Sequence, residues 1–264
     1  LKMILHIPHS SNIIPEQFRN QIVLSDDDLV AELIRMTDAF TDELFTFQKS
    51  TTIRFPISRL LLDVERFADN TNEPMAKVGM GMIYTHTAHG RKLKRSLKAK
   101  EIEVLHKCYE KHHELLSNEV KTELDVHDKV LLVDCHSFPS QPLPCDMEQT
   151  MPRPNFCIGT DSFHTPLNLI QMCEQRIKEM GYSVKINKPY QGTLVPMKFY
   201  GKEHRVASIM IEINRSLYMD EKNGEKKDSF ESIKEHIQTL LWFIWKFEKD
   251  VSLNGNTVAL NCLN

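Results

Sequence analysis

Two histidines in this chain of 264 residues follow short apolar runs. His9 comes after residues 4–7, and His136 comes after residues 130–135. Imidazole is a common zinc ligand, and a catalytic zinc site takes three protein ligands and keeps one position open. The chain has no His-Glu-x-x-His motif, so the ligands of such a site would come from separate elements. The sequence predicts a metal site assembled by the fold, in which the two rings lie within about 5 Å of each other.

Carboxylates near these histidines could complete the site. Asp38 and Asp42 are four residues apart and share one face of a predicted helix, although a solvated pair of carboxylates has the same spacing. Glu212 is a single acid within the apolar run 208–213. A buried carboxylate needs a partner or its pKa rises. Beside a metal-activated water, such a group is suited to be the general base of a hydrolysis.

Nucleophilic catalysis by a side chain is a weaker interpretation. Ser10 and Ser137 lie next to histidines, but the Gly-x-Ser-x-Gly turn that exposes a nucleophilic serine is missing from the sequence. Cys135 precedes His136 in a predicted strand, where neighbouring side chains point to opposite faces, so we expect a core thiol. The six cysteines are scattered singly, which argues against a disulfide framework.

The elements that must position these residues alternate between strands and helices. We predict strands at 4–7, 60–64, 130–135 and 208–213, with weaker candidates at 52–55 and 183–186, and helices at 26–47, 98–124, 165–180 and 229–248. Ser25 is the predicted N-cap of the first helix, and Gly181 ends the third. This order predicts a single α/β domain over residues 1–264, with a mixed, mostly parallel sheet between helices. Ligands of such sheets bind at the carboxyl ends of the strands.

Composition narrows the range of partners. The chain has 33 Lys and Arg against 36 Asp and Glu, a net charge of −3, which disfavours nucleic-acid binding. Its longest apolar run, residues 240–245, is much shorter than the roughly 20 residues of a membrane span. The apolar start is also too short for a signal peptide, so we expect a soluble, cytoplasmic protein. Composition does not indicate an oligomeric state.

Six segments, in this order, resemble the N-formylglutamate amidohydrolase family. They are Ile7-Pro8-His9-Ser10-Ser11, Asp38-x-x-x-Asp42-x-Leu44, Ser58-Arg59-Leu60-x-x-Asp63-x-x-Arg66, Asp134-Cys135-His136-Ser137-Phe138, Cys157-Ile158-Gly159-Thr160-Asp161 and Ile211-Glu212-Ile213-Asn214-Arg215-Ser216-Leu217-Tyr218-Met219. The resemblance implies a metal-dependent amidohydrolase. It also implies a three-layer sandwich similar to the zinc carboxypeptidases and the aspartoacylase group.

The resemblance also implies roles for individual residues. His9 and His136 become metal ligands, with Zn²⁺ or another divalent ion as the cofactor. The carboxypeptidase pattern has Glu three residues after its first His, whereas this chain has Asn12 there. Asp38 is therefore the preferred carboxylate ligand, with Asp42 and Asp63 as alternatives.

The resemblance assigns the remaining roles to Glu212 and to a set of polar residues. Glu212 is the implied general base. Arg66 and Arg215 match family arginines whose forked donors suit a substrate carboxylate. Ser137 and Asn214 complete the implied substrate-binding set, and the secondary candidates are Tyr84, Arg91 and His113.

One departure from the family pattern bears on the substrate. The usual Asp-Leu-Asn-Arg block reads Asp63-Val64-Glu65-Arg66 in this chain. If Glu65 faces the pocket, its charge should repel an acidic substrate. The resemblance therefore favours amide hydrolysis more strongly than it favours N-formyl-L-glutamate itself as the substrate.

The predicted activity is hydrolysis of an N-acyl, in particular N-formyl, amino acid by a zinc-activated water. A peptide or cell-wall amide hydrolase that uses the same metal is one alternative. The other is a protein that binds an acidic metabolite without turning it over. The long loop 138–156 follows the His136 strand and would set the depth of the pocket.

Overall fold

Six strands form one mixed sheet in the order β2-β1-β3-β6-β4-β5. A computed structural model describes residues 2–255, and the side chains of residues 2–247. β4 is antiparallel to β6, whereas the other neighbouring strands are parallel. The strands are β1 (Met3–Ile7), β2 (Ser50–Arg54), β3 (Val130–Phe138), β4 (Phe156–Gly159), β5 (Val184–Ile186) and β6 (Val206–Asn214).

Helices cover both faces of the sheet, as predicted for a three-layer sandwich. They are α1 (Glu16–Arg19), α2 (Asp26–Met36), α3 (Thr41–Leu44), α4 (Ala99–His127), α5 (Leu167–Glu179) and α6 (Phe230–Gly255), with short 3₁₀ turns at Pro74–Val78 and Arg215–Leu217. One face of the sheet is apolar along its whole length and packs against α3, α5 and α6. The stripe of apolar residues on α6 lies in this core, in agreement with a packing role for that helix.

The other face changes character along the strands. Its first half is apolar, and Ile4 and Leu132 pack there against Leu116 and Val120 of α4. Farther along the same face, towards the carboxyl ends, the side chains become polar, beginning with the neighbours His6 and Asp134. Helix α4 covers the apolar half and reaches the start of the polar half, where His112 hydrogen-bonds His6 (2.9 Å); the rest of the polar half lines the site described below.

The predicted strand at 60–64 is wrong. The segment is buried, but its peptide groups bond to side chains instead of a neighbouring strand. Lys94 Nζ donates to the carbonyls of Leu60 and Leu61, and His113 Nε2 donates to that of Val64. An apolar run of this length fits a strand and an irregular buried segment equally well, because both bury every side chain.

The predicted helix at 26–47 is interrupted at Asp38. Helix α2 begins after its N-cap Ser25, as expected, and ends at Met36, while Thr37 is extended and Phe40 has a positive φ of 64°. The Asp38 N–H donates to the carbonyl of His9 (3.0 Å), a bond that a continuous helix could not make. The interruption turns Asp38 towards the end of β1.

The other predicted strands and helices agree with the structure within the described residues, give or take a few residues at their ends. Residues 139–155 connect β3 to β4, and β4 itself was not predicted as a strand. Five cysteines are free thiols, and Cys135 lies in the apolar core, as its place in the strand predicted. Cys262 lies outside the described residues. Among the helices described, none has the length and apolar character needed to cross a membrane.

Gly159, the last residue of β4, offers a test of the packing around the site. A Cβ atom there would overlap the carbonyl oxygen of Gly192 and the side chain of Met210. We expect Gly159→Ala to lower the free energy of unfolding by roughly 1–3 kcal/mol, the usual cost of forcing extra volume into a packed region. Urea denaturation measures this, with the exposed Ser162→Ala as the control within about 0.5 kcal/mol of wild type. Equal stability of both variants would contradict the packing.

Candidate metal centre and active site

A cleft of about 500 Å³ opens at the carboxyl ends of the central strands. His9 follows β1, His136 lies near the end of β3, and Glu212 lies on β6, and all three line the cleft. His136 and Glu212 are register partners on neighbouring parallel strands, so their side chains point to the same side of the sheet. The fold therefore brings together the two histidines and the acid that the sequence singled out.

The two imidazoles lie at the limit of the distance expected for a shared metal. Their ring centres are 5.2 Å apart, against the predicted limit of about 5 Å. Potential ligand atoms of His9, Glu65 and His136 all lie within 4.8 Å of one another. Ligand atoms that share a tetrahedral zinc with bonds of roughly 2 Å lie about 3.3 Å apart, so atoms at the 4.8 Å limit would have to approach each other by about 1.5 Å.

Each imidazole is held by a carboxylate on one side and faces Glu65 on the other. His9 Nε2 donates to Asp63 (2.8 Å), and His136 Nδ1 donates to Asp38 (3.1 Å). The other nitrogens, His9 Nδ1 and His136 Nε2, lie 3.8 and 3.1 Å from Glu65 Oε2. His9 Nδ1 is buried and has no hydrogen-bond partner. One nitrogen of each ring thus lies near Glu65, but Asp38 Oδ2 is as close to His9 Nδ1 (3.7 Å) and Asp134 Oδ1 is as close to His136 Nε2 (3.1 Å).

Glu65 is the residue whose role the sequence reasoning missed. Within the described part of the chain, its ion pairs are all with imidazoles, namely those of His6, His9 and His136. A second group of potential metal ligands, His6, Glu65 and Asp134, shares the same carboxylate. The signal in the sequence was the departure from the family block, which we interpreted as repulsion of the substrate.

Asp38, the preferred carboxylate ligand, has both oxygens engaged by protein groups. Its Oδ2 accepts from His136, and its Oδ1 accepts from Arg215 Nη2 (2.8 Å). Burial raises the pKa of Asp38, but the hydrogen bond from His136, the His9 ring 3.7 Å away and the charge of Arg215 hold it well below the usual value. These contacts favour Asp38 as the group that orients His136.

Asp63 makes an equivalent arrangement around His9. Its Oδ2 accepts from Arg59 Nη2 (2.8 Å) and from the Tyr84 hydroxyl (2.7 Å), while Oδ1 holds His9. Burial raises the pKa of Asp63, but the charges of Arg59 and His9 lower it well below the usual value. Tyr84, a secondary candidate, therefore contacts the site through Asp63, and Arg59 was not assigned a role from the sequence.

Glu212 is buried beside charged groups. It is 7% exposed, and its Oε2 has no hydrogen-bond partner. Burial raises the pKa of Glu212 to about 8, although the charge of His136 acts in the opposite direction. The group lines the cleft and can hold or release a proton near neutral pH.

The predicted substrate-binding residues divide into two groups. The guanidinium of Arg215 donates hydrogen bonds to Asp38, to Ser137 and to the carbonyl of Arg35. These bonds hold residues around the site in place. The Asn214 side chain caps the 3₁₀ turn at Arg215–Leu217 and is not among the residues that line the cleft. Arg215 nevertheless lines the cleft, so its substrate-binding role and that of Asn214 stay predictions.

Arg66 differs from Arg215 because its charge is engaged only by longer ion pairs, with Asp63 (3.5 Å) and Glu73 (3.9 Å), within the described residues. Its side chain is 26% exposed, lines the cleft, and has a buried Nε without a hydrogen-bond partner. Ser137 also lines the cleft, where its hydroxyl accepts from Arg215. Arg35 and Arg59 line the cleft too, so the role of Arg66 in binding a substrate carboxylate stays a prediction.

Three further candidates lie outside the cleft. Asp42 pairs with Arg54, and Arg91 pairs with Asp28 on the surface, so neither belongs to the site. The positions of Asp42 and Arg91 in the sequence did not indicate that their side chains point away from the cleft. His113 is partly buried on α4 and bonds the carbonyl of Val64, so it supports the segment that carries Glu65.

Comparisons with known proteins bear on the family and the fold of the chain. The family model for N-formylglutamate amidohydrolase matches residues 1–219. N-formylglutamate amidohydrolase from Ralstonia eutropha JMP134 has a similar structure, with a TM-score of 0.83, 21% sequence identity and 94% of each chain covered. A gene product from Agrobacterium tumefaciens aligns with a TM-score of 0.58 at 19% identity, over 92% of this chain and 90% of that one.

The comparisons differ in what they establish. No curated protein matches the sequence significantly. At these identities the two structural matches show a shared fold, and the sandwich predicted from the sequence is confirmed. The family model covers most of the sequence, and on that basis the chain belongs to the N-formylglutamate amidohydrolase family of hydrolases.

Proposed function

We propose that the protein is a divalent-metal-dependent amidohydrolase that removes the acyl group, in particular the formyl group, from an N-acyl amino acid. His9 Nδ1, His136 Nε2 and a Glu65 oxygen would hold the metal. The observation that carries this proposal is the buried His9 Nδ1, which lacks a hydrogen-bond partner and faces Glu65. A buried nitrogen without a partner is costly, and a cation would satisfy it.

The chemistry of the donor groups fits zinc. Two imidazoles and one carboxylate form a known type of catalytic zinc site. Ligating histidines usually give their second nitrogen to a carboxylate, as His9 does to Asp63 and His136 does to Asp38. When bound, a divalent cation would act as a Lewis acid towards water and the amide carbonyl.

Side chains of the protein would transfer the proton and bind the substrate. Glu212 would take a proton from the attacking water and pass it to the amide nitrogen as the carbon–nitrogen bond breaks. The products are then the free amino group and the carboxylate of the acyl group. Arg66 would bind the carboxylate of the amino acid through its forked donors.

The position of Glu65 removes the reason to expect that the protein repels acidic substrates. Its carboxylate contacts imidazoles, so a bound cation would balance its charge, and the expected repulsion of an acidic substrate would fall away. N-formyl-L-glutamate therefore stays among the proposed substrates. A cleft of about 500 Å³ suits a small molecule better than a cell-wall polymer.

The ligand assignment can be tested by comparing Glu65→Gln with Asp38→Asn. Loss of an orienting partner typically costs roughly 10- to 100-fold in metal affinity, so Asp38→Asn should fall in that range and Glu65→Gln should exceed it. Metal analysis and chelator competition measure the two affinities, with the remote Glu203→Gln as the control. The reverse order would restore Asp38 as the ligand, and wild-type protein that binds no zinc would refute the metal site.

The role of Glu212 can be tested by Glu212→Gln, which keeps the shape of the side chain but removes the base. We expect kcat for N-formyl amino acids to fall by about 100-fold or more, while substrate binding stays within a few-fold of wild type. Release of formate and calorimetric titration measure the two quantities. Absence of hydrolysis by wild-type protein across the panel would favour the binding-only alternative.

The pH dependence of metal binding follows from the two imidazoles. Burial lowers the pKa of His136, but the charges of Glu65 and Asp134 outweigh this effect and hold it well above its ordinary value, and the pKa of His9 is also raised. The metal must therefore displace protons, so affinity rises with pH. We expect at least about a tenfold gain per pH unit between roughly pH 6 and 7. Affinity that does not vary over this range would contradict the imidazole ligands.

A further inference from the structure

Lys94 is a buried ammonium that bonds only to peptide carbonyls. Its side chain donates to the oxygens of Leu60 (2.7 Å), Leu61 (3.0 Å) and Tyr84 (2.8 Å), and the residue is 2% exposed. Among the described residues, no carboxylate forms an ion pair with it. Burial lowers the pKa of Lys94 to about 7. A buried cation without a carboxylate is costly, so the three carbonyls must account for its presence.

The three carbonyls belong to the two stretches of chain that build one side of the site. Leu60 and Leu61 lie in the segment 58–66, which also carries Arg59, Asp63, Glu65 and Arg66. The hydroxyl of Tyr84 donates to Asp63, the carboxylate that holds His9. One ammonium therefore ties both stretches together behind the residues that face the cleft.

The segment 58–66 is held by the packing of its buried apolar side chains and by individual hydrogen bonds. It pairs with no strand in the described structure, so its buried peptide groups depend on individual partners. The Asp63 N–H donates to the carbonyl of Met82, and Tyr109 and His113 of α4 bond the carbonyls of Arg66 and Val64. Lys94 supplies the contacts at the beginning of the segment.

We propose that Lys94 is a positioning residue that fixes the segment 58–66, so that Glu65 meets His9 Nδ1 and His136 Nε2 and Arg66 faces the cleft. This inference rests on the proposed function, because Glu65 is the metal ligand in that proposal. Lys94 touches neither metal nor substrate. Its effect on both passes through the backbone carbonyls that it holds.

Lys94→Met and Lys94→Arg test the proposal. Methionine keeps an unbranched side chain of similar length but has no donors, so we expect zinc affinity to fall by at least tenfold and the KM for N-formyl amino acids to rise. Arginine has several N–H donors for the same carbonyls, so Lys94→Arg should recover part of the zinc affinity. Leu169→Ala, in the core on the opposite face, is the control for a general loss of stability, as measured by urea denaturation.

The outcomes separate this inference from the proposed function. If wild type and Lys94→Met bind zinc equally well, or if Leu169→Ala loses as much affinity at the same loss of stability, the positioning role is wrong and the metal site stands. If wild type binds no zinc, the proposed function fails and this inference fails with it. A fall in affinity confined to the Lys94→Met variant supports the inference.

A measurement on wild-type protein does not depend on whether Lys94→Met folds. In protein labelled with ¹⁵N-lysine, the Lys94 Nζ signal is the one that Lys94→Arg removes. We expect this signal to shift as zinc is added, and to reach its final position when the metal site is full. A signal that zinc leaves unchanged would overturn the positioning role.

Discussion

The site depends on the hydrogen bond by which a carboxylate holds each of two imidazoles. Asp63 takes the proton of His9 Nε2, and Asp38 takes that of His136 Nδ1, so the remaining nitrogen of each ring faces Glu65. The two aspartates are held in turn by guanidinium groups. Polar groups are thus arranged in layers, each of which limits the orientation of the next. Without the outer layers, the rings could rotate and the three potential ligands would no longer converge.

The sheet supplies the second constraint. On the face covered by α4, the strands are apolar at first and polar towards their carboxyl ends, so one surface serves both the core and the site. His136 and Glu212 are neighbours because β3 and β6 pair in one register. A shift of one residue would send either side chain into the apolar core on the opposite face.

The sequence allowed prediction of those parts of the site that are set by regular strands. Nearly continuous aliphatic runs marked β1, β3 and β6, and they placed His9, His136 and Glu212 at one edge of the sheet. Glu65 could not be placed in the same way, because an irregular segment held by distant side chains has no repeating pattern. The interruption of the helix at Asp38 was missed for a related reason, since the bond to the carbonyl of His9 is a tertiary contact.

The separation of the site from the apolar face has a consequence for the maturation of the protein. His9, Glu65 and His136 come from distant parts of the chain, so an unfolded polypeptide offers no preformed chelating group. The large core beneath α5 and α6 contains none of these residues and can form without a cation. Folding would then come first and loading second. The folded protein would bind its ion after folding is complete. Small zinc domains differ, because they stay unfolded until the ion binds.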